Sequence, residues 1–328
     1  MTALAGVVGR PVRTDLPVRV GLDVGGTKID AVAVDDDGLV LARTRLPSGF
    51  GADEVVANAA SAVARVLGTP APGSSPALVP RSVGVGIPGV VDPVTGRVSH
   101  AVNLGFADVA FADALSRLVG VPVAVENDVN AAALGTWHAL GLRGSMAYLN
   151  LGTGLAAGIV VDGVLSRGSR GAVGEIGHVP VDPAGVLCTC GQRGCLETVA
   201  SGTAAARLWP TDVPHPARAL FTAADHGDPA AVAARTVLAD GVAAAVRLLV
   251  LTVDVETIVV GGGLSALGEP LLEQVRASLG RAGHASPFVA SLDLPSRVVL
   301  LPAGAPPVAA VGAAMAGAPV DPSVVAVG

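Results

Sequence analysis

Apolar residues along this chain follow two rhythms. Continuous or alternating apolar runs predict strands at 18–24, 29–34, 39–46, 82–87, 121–125, 145–151, 156–161, 257–260 and 297–301. Recurrence near every 3.6 residues predicts helices at 53–67, 111–119, 130–140, 230–252, 270–280 and 308–316. In the first helix the apolar set is Val55, Val56, Ala59, Val63, Val66 and Leu67. Asp35-Asp36-Asp37-Gly38 closes a hairpin, and the Pro, Ser and Gly residues of 69–80 predict a loop. One theme occurs twice: a strand, a glycine turn, then a returning strand. Gly25-Gly26 makes the first turn and Gly152-Thr153-Gly154 the second. The pattern predicts an α/β chain of two similar lobes, each offering a glycine turn to a shared cleft. No short tandem repeat accompanies it.

Composition narrows the picture. With 328 residues the chain is long enough for two domains, each with its own core. Half the residues are apolar but only 2% are aromatic, so Ala, Val and Leu must fill those cores. The net charge is −6 and no basic run is present, which disfavours nucleic acid as a partner. No stretch of about 18 uncharged apolar residues has membrane-spanning character. The strongest candidate, 248–260, is interrupted by Asp254 and Glu256. Residues 1–17 lack the apolar region and cleavage site of a signal peptide. These features predict a cytoplasmic protein whose thiols stay reduced.

The cysteines are placed unevenly. All three lie in Cys188-Thr189-Cys190-Gly191-Gln192-Arg193-Gly194-Cys195, and His178 stands ten residues before the first. Glycines at 191 and 194 suit the positive φ of a metal knuckle. Three thiolates and one imidazole form a closed tetrahedral zinc set of the structural kind. A disulfide with a spare thiol, or three small buried hydrophobes, is the alternative.

Candidate chemistry clusters around the turns. Asp23-Val24-Gly25-Gly26-Thr27-Lys28 lacks P-loop spacing, but its backbone N–H groups can approach phosphate oxygens. Lys28, the single lysine among 21 basic residues, can add charge there, and Asp23 can hold Mg²⁺ through water. Gly152-Thr153-Gly154 can serve the other phosphates. Glu126-Asn127-Asp128 stands at a strand end, where α/β sheets place ligands. Of its two acids, Asp128 is the better proton acceptor for an attacking hydroxyl; the alternative is a helix N-cap. Glu175 and Glu197 flank the proposed zinc ligands, so metal would fix a carboxylate on each side, and paired carboxylates suit vicinal diols.

These motifs, in this order, resemble the ROK family of repressors and sugar kinases. The resemblance runs from about residue 18 onward. It is carried by the 23–28 turn, Glu126-Asn127-Asp128, Glu175-Ile176-Gly177-His178, and the run from Cys188 to Glu197. It implies two actin-like ATPase lobes of the ribonuclease H-like type with a cleft between them. The small lobe would take 1–128 plus a returning helix within 305–328, and the large lobe 129–304 with the zinc knuckle. Asp128 would be the general base for a sugar 6-hydroxyl. Gly89, Asn103, Asn127, Glu175, His178 and Glu197 would line the sugar pocket with it. Gly261, Gly262 and Gly263 would flank the adenosine. Zn²⁺ would be structural and Mg²⁺ would accompany ATP. The implied activity is an ATP-dependent hexokinase, first on glucose, with N-acetylmannosamine or N-acetylglucosamine kinase as the close alternative. A non-catalytic sugar sensor is the alternative outside that class. Many ROK proteins carry a DNA-binding domain of roughly 80 residues ahead of the phosphate turn; here 22 residues precede Asp23, which favours the kinase branch. A homodimer is expected.

Overall fold

A computed structural model describes residues 15–68 and 77–317. The absent leader read at 1–17 lies outside those residues up to position 14. So do most of the predicted 69–80 loop and the end of the expected 305–328 segment.

The first half forms β1 (Asp15–Val24), β2 (Lys28–Val34), β3 (Val40–Pro47), α1 (Ala52–Leu67), β4 (Ala77–Ile87), β5 (Val90–Asp92), β6 (Arg97–Ala101), β7 (Phe106–Ala110), α2 (Phe111–Val119), β8 (Val123–Asn127) and α3 (Asp128–Leu140). The second half forms β9 (Ser145–Leu151), β10 (Leu155–Val161), β11 (Val164–Leu165), α4 (Gly202–Leu208), α5 (Pro216–Asp225), α6 (Pro229–Val253), β12 (Thr257–Gly261), α7 (Glu269–Ala285), α8 (Pro287–Ser291), β13 (Val298–Leu300) and α9 (Val308–Ala316).

The two large sheets repeat one topology. Their orders are β3-β2-β1-β4-β8 and β11-β10-β9-β12-β13. In each, the first three strands in sequence are antiparallel and the last two join in parallel. The duplication read from the glycine turns is therefore a duplication of whole sheets. Each sheet has its own core. Val20, Leu22, Val85, Val55 and Phe111 are buried in the first; Leu149, Leu151, Leu238, Val242 and Ile258 in the second. Each such side chain contributes about 1.5–3 kcal/mol by leaving water.

Several boundaries moved, for physical reasons. The strand expected at 121–125 runs 123–127, because Pro122 has no N–H for the ladder. That shift puts Asn127 at the strand end, where its side chain caps α3 through Val129 N (2.9 Å) and Asn130 N (3.2 Å). The helix expected from 130 thus starts at Asp128. The helix expected to end at 280 continues to 285. The last four residues of the expected 69–80 loop open β4. A three-stranded sheet, β5-β6-β7, and the helices α4, α5 and α8 were not foreseen; apart from α5, of ten residues, their segments are too short for a period to emerge.

Helix α6 is long and apolar enough to cross a membrane by length and composition, although it carries Arg235, Asp240 and Arg247. Here it is the core helix of the second sheet. Helix α9 packs on β1, β2 and β4 of the first sheet and along α3. Gly135 in α3 meets the Val308 carbonyl, and Gly312 in α9 meets the Ala131 carbonyl, so closely that neither position has room for a Cβ. This backbone contact holds α3, and with it Asp128, against the first sheet.

Candidate active site

The first turn links β1 to β2. Gly25 N donates to the Lys28 carbonyl at 2.9 Å, and a Cβ on Gly26 would come within 3.3 Å of Asn103. Glycine is used here for space rather than for positive φ. Ser48, fully buried, donates its hydroxyl to the Gly25 carbonyl at 2.5 Å. Lys28, Thr27 and Gly26 are exposed.

Two acids stand side by side across β1 and β2, Asp23 opposite Asp30. Burial pushes both up, but Arg43 (2.8 Å) and Arg45 (2.7 Å) from β3 grip Asp30 and hold it below the usual carboxylate range. Asp23 has no such clamp. Burial, then repulsion from Asp128 and Asp30, raises it to about 6, against the pull of Lys28 and Arg45. A partly accessible, poorly compensated carboxylate beside a phosphate-sized turn is suited to a divalent cation.

The Glu126-Asn127-Asp128 triplet divides its labour. Glu126 is buried and accepts from Arg167 Nε (2.7 Å), Asn130 Nδ2 (3.0 Å) and Asn127 N (3.0 Å). Asn127 caps α3 and donates to the Gly89 carbonyl at 3.3 Å. Asp128, the first residue of α3, accepts from Val129 N at 3.0 Å, from its own N–H and from the Asn127 side chain, and faces a cavity of about 460 Å³. Burial raises its pKa, and the nearby Glu175 carboxylate adds to that. Such a carboxyl is a better base than a solvated one.

The knuckle brings its four donors together. The Sγ atoms of Cys188, Cys190 and Cys195 and a ring nitrogen of His178 lie within 4.8 Å of one another. Cys190 and Cys195 Sγ are 3.6 Å apart, and Cys188 Sγ is 3.8 Å from His178 Nδ1. Metal–sulfur bonds of about 2.3 Å and metal–nitrogen bonds of about 2.0 Å in a tetrahedron require separations of about 3.5–3.8 Å. A disulfide needs sulfurs about 2.05 Å apart, and all three cysteines are free. Gly191 (φ 92°) and Gly194 (φ 68°) take the expected positive φ. The donor set fits zinc. The other ring nitrogen of His178, Nε2, lies 3.9 Å from a Glu175 oxygen.

The second turn is anchored differently. Glu197 Oε2 accepts from Leu155 N at 3.1 Å and sits where a Cβ on Gly154 would be. Its other oxygen is 3.9 Å from Cys188 Sγ. Gly202 N donates to the Gly152 carbonyl (2.8 Å), and Thr203 Oγ1 to that of Thr153 (2.9 Å). Gly152, Thr153 and Gly263 share a groove of about 820 Å³ with Thr203, His215 and Arg218.

The structure thus gathers Gly89, Asn127, Asp128, Glu175 and His178 around one cavity. It leaves Asn103 against the first turn and Glu197 against the second, outside that cavity's wall. Gly263 reaches the larger groove, whereas Gly261 and Gly262 pack on Tyr148, whose hydroxyl accepts from Gly262 N. Several wall residues escaped the sequence reading. Buried Tyr148, in the core behind Gly261 rather than in a wall, escaped it too: burial and the nearby Asp23 and Asp128 raise its pKa to about 12. His100 and Arg170 line the Asp128 cavity; His215 and Arg218 line the groove. His100 (φ 59°) and His215 (φ 62°) hold left-handed backbone that non-glycine residues seldom adopt. Being the chain's single tyrosine was the one signal for Tyr148; the others had none.

Residues 19–292 match the ROK family. Among known proteins, the glucokinase of Halalkalibacterium halodurans is 34% identical over 278 residues, which is 78% of this chain and 83% of that one. An N-acetylmannosamine kinase of Yersinia pseudotuberculosis is 33% identical over 264 residues, 79% of this chain and 87% of that one. Among solved structures, the ROK hexokinase of Thermus thermophilus superposes with a TM-score of 0.76 at 32% identity, over 92% of this chain and 97% of that one. The ROK family glucokinase of Streptomyces griseus, in complex with glucose and AMPPNP, gives 0.72 at 31% identity, over 92% and 99%. The paired sheets are those of the actin-like fold that these sugar kinases share. With the match spanning both sheets and the knuckle, the chain belongs to the ROK family.

Proposed function

We propose that the protein is an ATP-dependent sugar kinase acting on the 6-hydroxyl of a hexose, with glucose as its first substrate. The observation that carries this reading is Asp128. It is a carboxylate with a raised pKa and no cation paired to it among the described residues, facing a sugar-sized cavity that also holds Glu175 and His178, and its charge is felt at Asp23 beside the phosphate turn. The 34% identity to glucokinases and the glucose and nucleotide complex of a neighbour support the same substrate pair.

In this mechanism the sugar hydroxyl lies against Asp128, which takes its proton. The hydroxyl oxygen bonds to the γ-phosphorus as the bond to the β–γ bridging oxygen breaks, and ADP leaves. The N–H groups of Gly26, Thr27 and Lys28 face the phosphates, and the Lys28 ammonium adds charge. Gly152 and Thr153 cradle the remaining phosphates, with the nucleoside in the groove beside Gly263. Asp23 would hold the Mg²⁺ that comes with ATP, which would supply neutralisation of phosphate charge. Asn127, Glu175 and His178 orient the sugar, with Asn103 and Glu197 joining as the cleft closes. Cys188, Cys190, Cys195 and His178 would hold a structural zinc, which would fix the ring of His178 and the backbone between Glu175 and Glu197.

The Yersinia relatives support N-acetylmannosamine as a second reading. ADP release with ATP and Mg²⁺ over glucose, mannose, N-acetylglucosamine, N-acetylmannosamine and fructose tests both. Turnover on glucose above the others is expected. Preference for N-acetylmannosamine would select the second reading. Silence on all five, in folded zinc-loaded protein, would overturn the kinase.

A further inference from the structure

The Asp128 cavity has a neighbour. A second cavity of about 470 Å³ lies between the β5–β6 turn and the loop after β11. The two share Val90, Val91, Pro93, Arg167, Arg170 and Gly171 as a common wall. Val94, Arg97 and Asp108 belong to the second cavity alone, and Asp128, Glu175 and His178 to the first. A molecule whose reacting hydroxyl rests on Asp128 therefore meets the second cavity with a part remote from the chemistry.

The second cavity has a mostly apolar lining that also carries charged side chains, and those charges cancel. Arg97 binds Asp108 at 2.5 Å, and Arg167 binds Glu126 at 2.7 Å. Arg170 is exposed and forms no ion pair among the described residues; Asp92 is engaged by Val94 N (2.9 Å) and Thr95 Oγ1 (2.7 Å). The three arginine charges are thus matched by Asp92 and Asp108 of the same lining and by Glu126 of the neighbouring cavity, so no net positive charge is available to draw a phosphate. Arginine only donates hydrogen bonds and a carboxylate only accepts them, whereas a sugar hydroxyl does both and can bridge such a pair. Val94 and Val90, 91% and 56% exposed, add an apolar surface for the C–H face of a ring. Each cavity lies in the size range of a small-molecule site, roughly 300–1,000 Å³.

We propose that the second cavity is a saccharide subsite, so that the protein also phosphorylates disaccharides whose terminal hexose occupies the Asp128 cavity. This rests on the kinase reading above. The step is unchanged: the terminal 6-hydroxyl oxygen gains the γ-phosphoryl group, its proton passes to Asp128, and ADP leaves. The second sugar takes no part except in binding.

The test uses the full zinc-loaded chain with glucose, maltose, cellobiose and trehalose. Products are read by mass spectrometry and phosphorus NMR, and binding by calorimetry. Val94→Trp fills the second cavity from an exposed turn, and Arg97→Ala removes a half-exposed donor; neither residue touches the Asp128 cavity. At least one disaccharide is expected to be phosphorylated once, at the 6-position of a terminal hexose. Each variant is expected to lower kcat/KM for it by about fivefold or more, as one lost hydrogen bond would, while leaving glucose kinetics unchanged. Turnover of glucose with neither binding nor turnover of any disaccharide overturns the proposal. So do disaccharide kinetics that ignore both variants, or inorganic phosphate that binds wild type and not Arg97→Ala. If glucose too is inert, the kinase reading fails separately. Calorimetry then decides the subsite: disaccharide binding weakened by Val94→Trp upholds it, and no binding overturns it.

Discussion

Asp23 and Asn150 occupy equivalent places in the two halves, each two residues before the first glycine of its turn, on the central strand of a five-stranded sheet. Everything around them differs. The first turn carries an acid raised to about 6, a lysine and a brace from Ser48. The second carries a neutral amide and is tied to the metal knuckle through Glu197. One backbone solution has been used twice, once where charge must be handled and once where only position matters. The charged turn costs stability; the neutral one is tied to the cysteine knuckle.

If chemistry belongs to the charged side, the largest effect comes from Asp128→Asn. Transfer should fall about 10²–10⁴-fold while sugar binding persists, as single-turnover kinetics and calorimetry will read. Near-normal turnover would remove Asp128 from the mechanism. In the wild type, the acid limb of the rate profile should lie above the ordinary carboxylate value, because protonation of Asp128 removes the base. If the neutral side depends on metal, Cys190→Ser should lose the one bound zinc per chain and weaken sugar binding roughly 10–100-fold. Metal analysis finding no zinc in the wild-type protein would sink that link. Glu197→Ala should loosen the second turn, raising KM for ATP about tenfold, the worth of a hydrogen bond to a charged group. An unchanged KM would show that Gly202 and Thr203 suffice.

Asp23→Asn makes the first turn imitate the second. The folded protein holds the Asp23 proton up to about pH 6, whereas the unfolded chain releases it near 3.8. Stability from this group is therefore present below about pH 4 and lost as pH rises to about 6. The variant should melt higher than wild type at pH 8, by at most about 3 kcal/mol, and equally at pH 4, while losing transfer. Equal melting at both values would mean that Asp23 is better solvated than its surroundings suggest. The smallest effect is expected from Ser48→Ala: loss of about 1 kcal/mol, hence about a fivefold rise in KM for ATP. Ser48→Thr should restore it; failure to do so would make Ser48 a packing residue only.

Much of this was legible in the chain. The helices over 111–119 and 308–316 and the strand over 145–151 lie where their patterns placed them: 111–119 buries one face, whereas 308–316 and 145–151 are apolar runs buried through most of their length. The knuckle was legible because its four donors are rare residue types in a short span. Arg167, Arg170, His100, His215 and Arg218 were not, because an arginine or histidine in a loop reads the same whether it faces water or a cavity. Glu197 was legible as important and misplaced in detail: its spacing to Cys195 is local, but its partner, Leu155 N, lies on β10.

The sequence alone determined what depends on near neighbours: the duplicated strand, turn and strand, the helices with an apolar face, the metal donors, and Asp128 at a strand end. Tertiary structure decided what depends on distant ones. It set Asp30 between two arginines of β3 and left Asp23 without a clamp, so that two adjacent aspartates titrate in opposite directions. It spent Glu126 and Asn127 on Arg167, Asn130 and the helix cap, leaving Asp128 without a cationic partner among the described residues. It laid a second cavity beside the first from loops that are far apart in sequence. Burial and charge fall off within a few ångströms of space, and one sequence cannot say which of its residues will come that close.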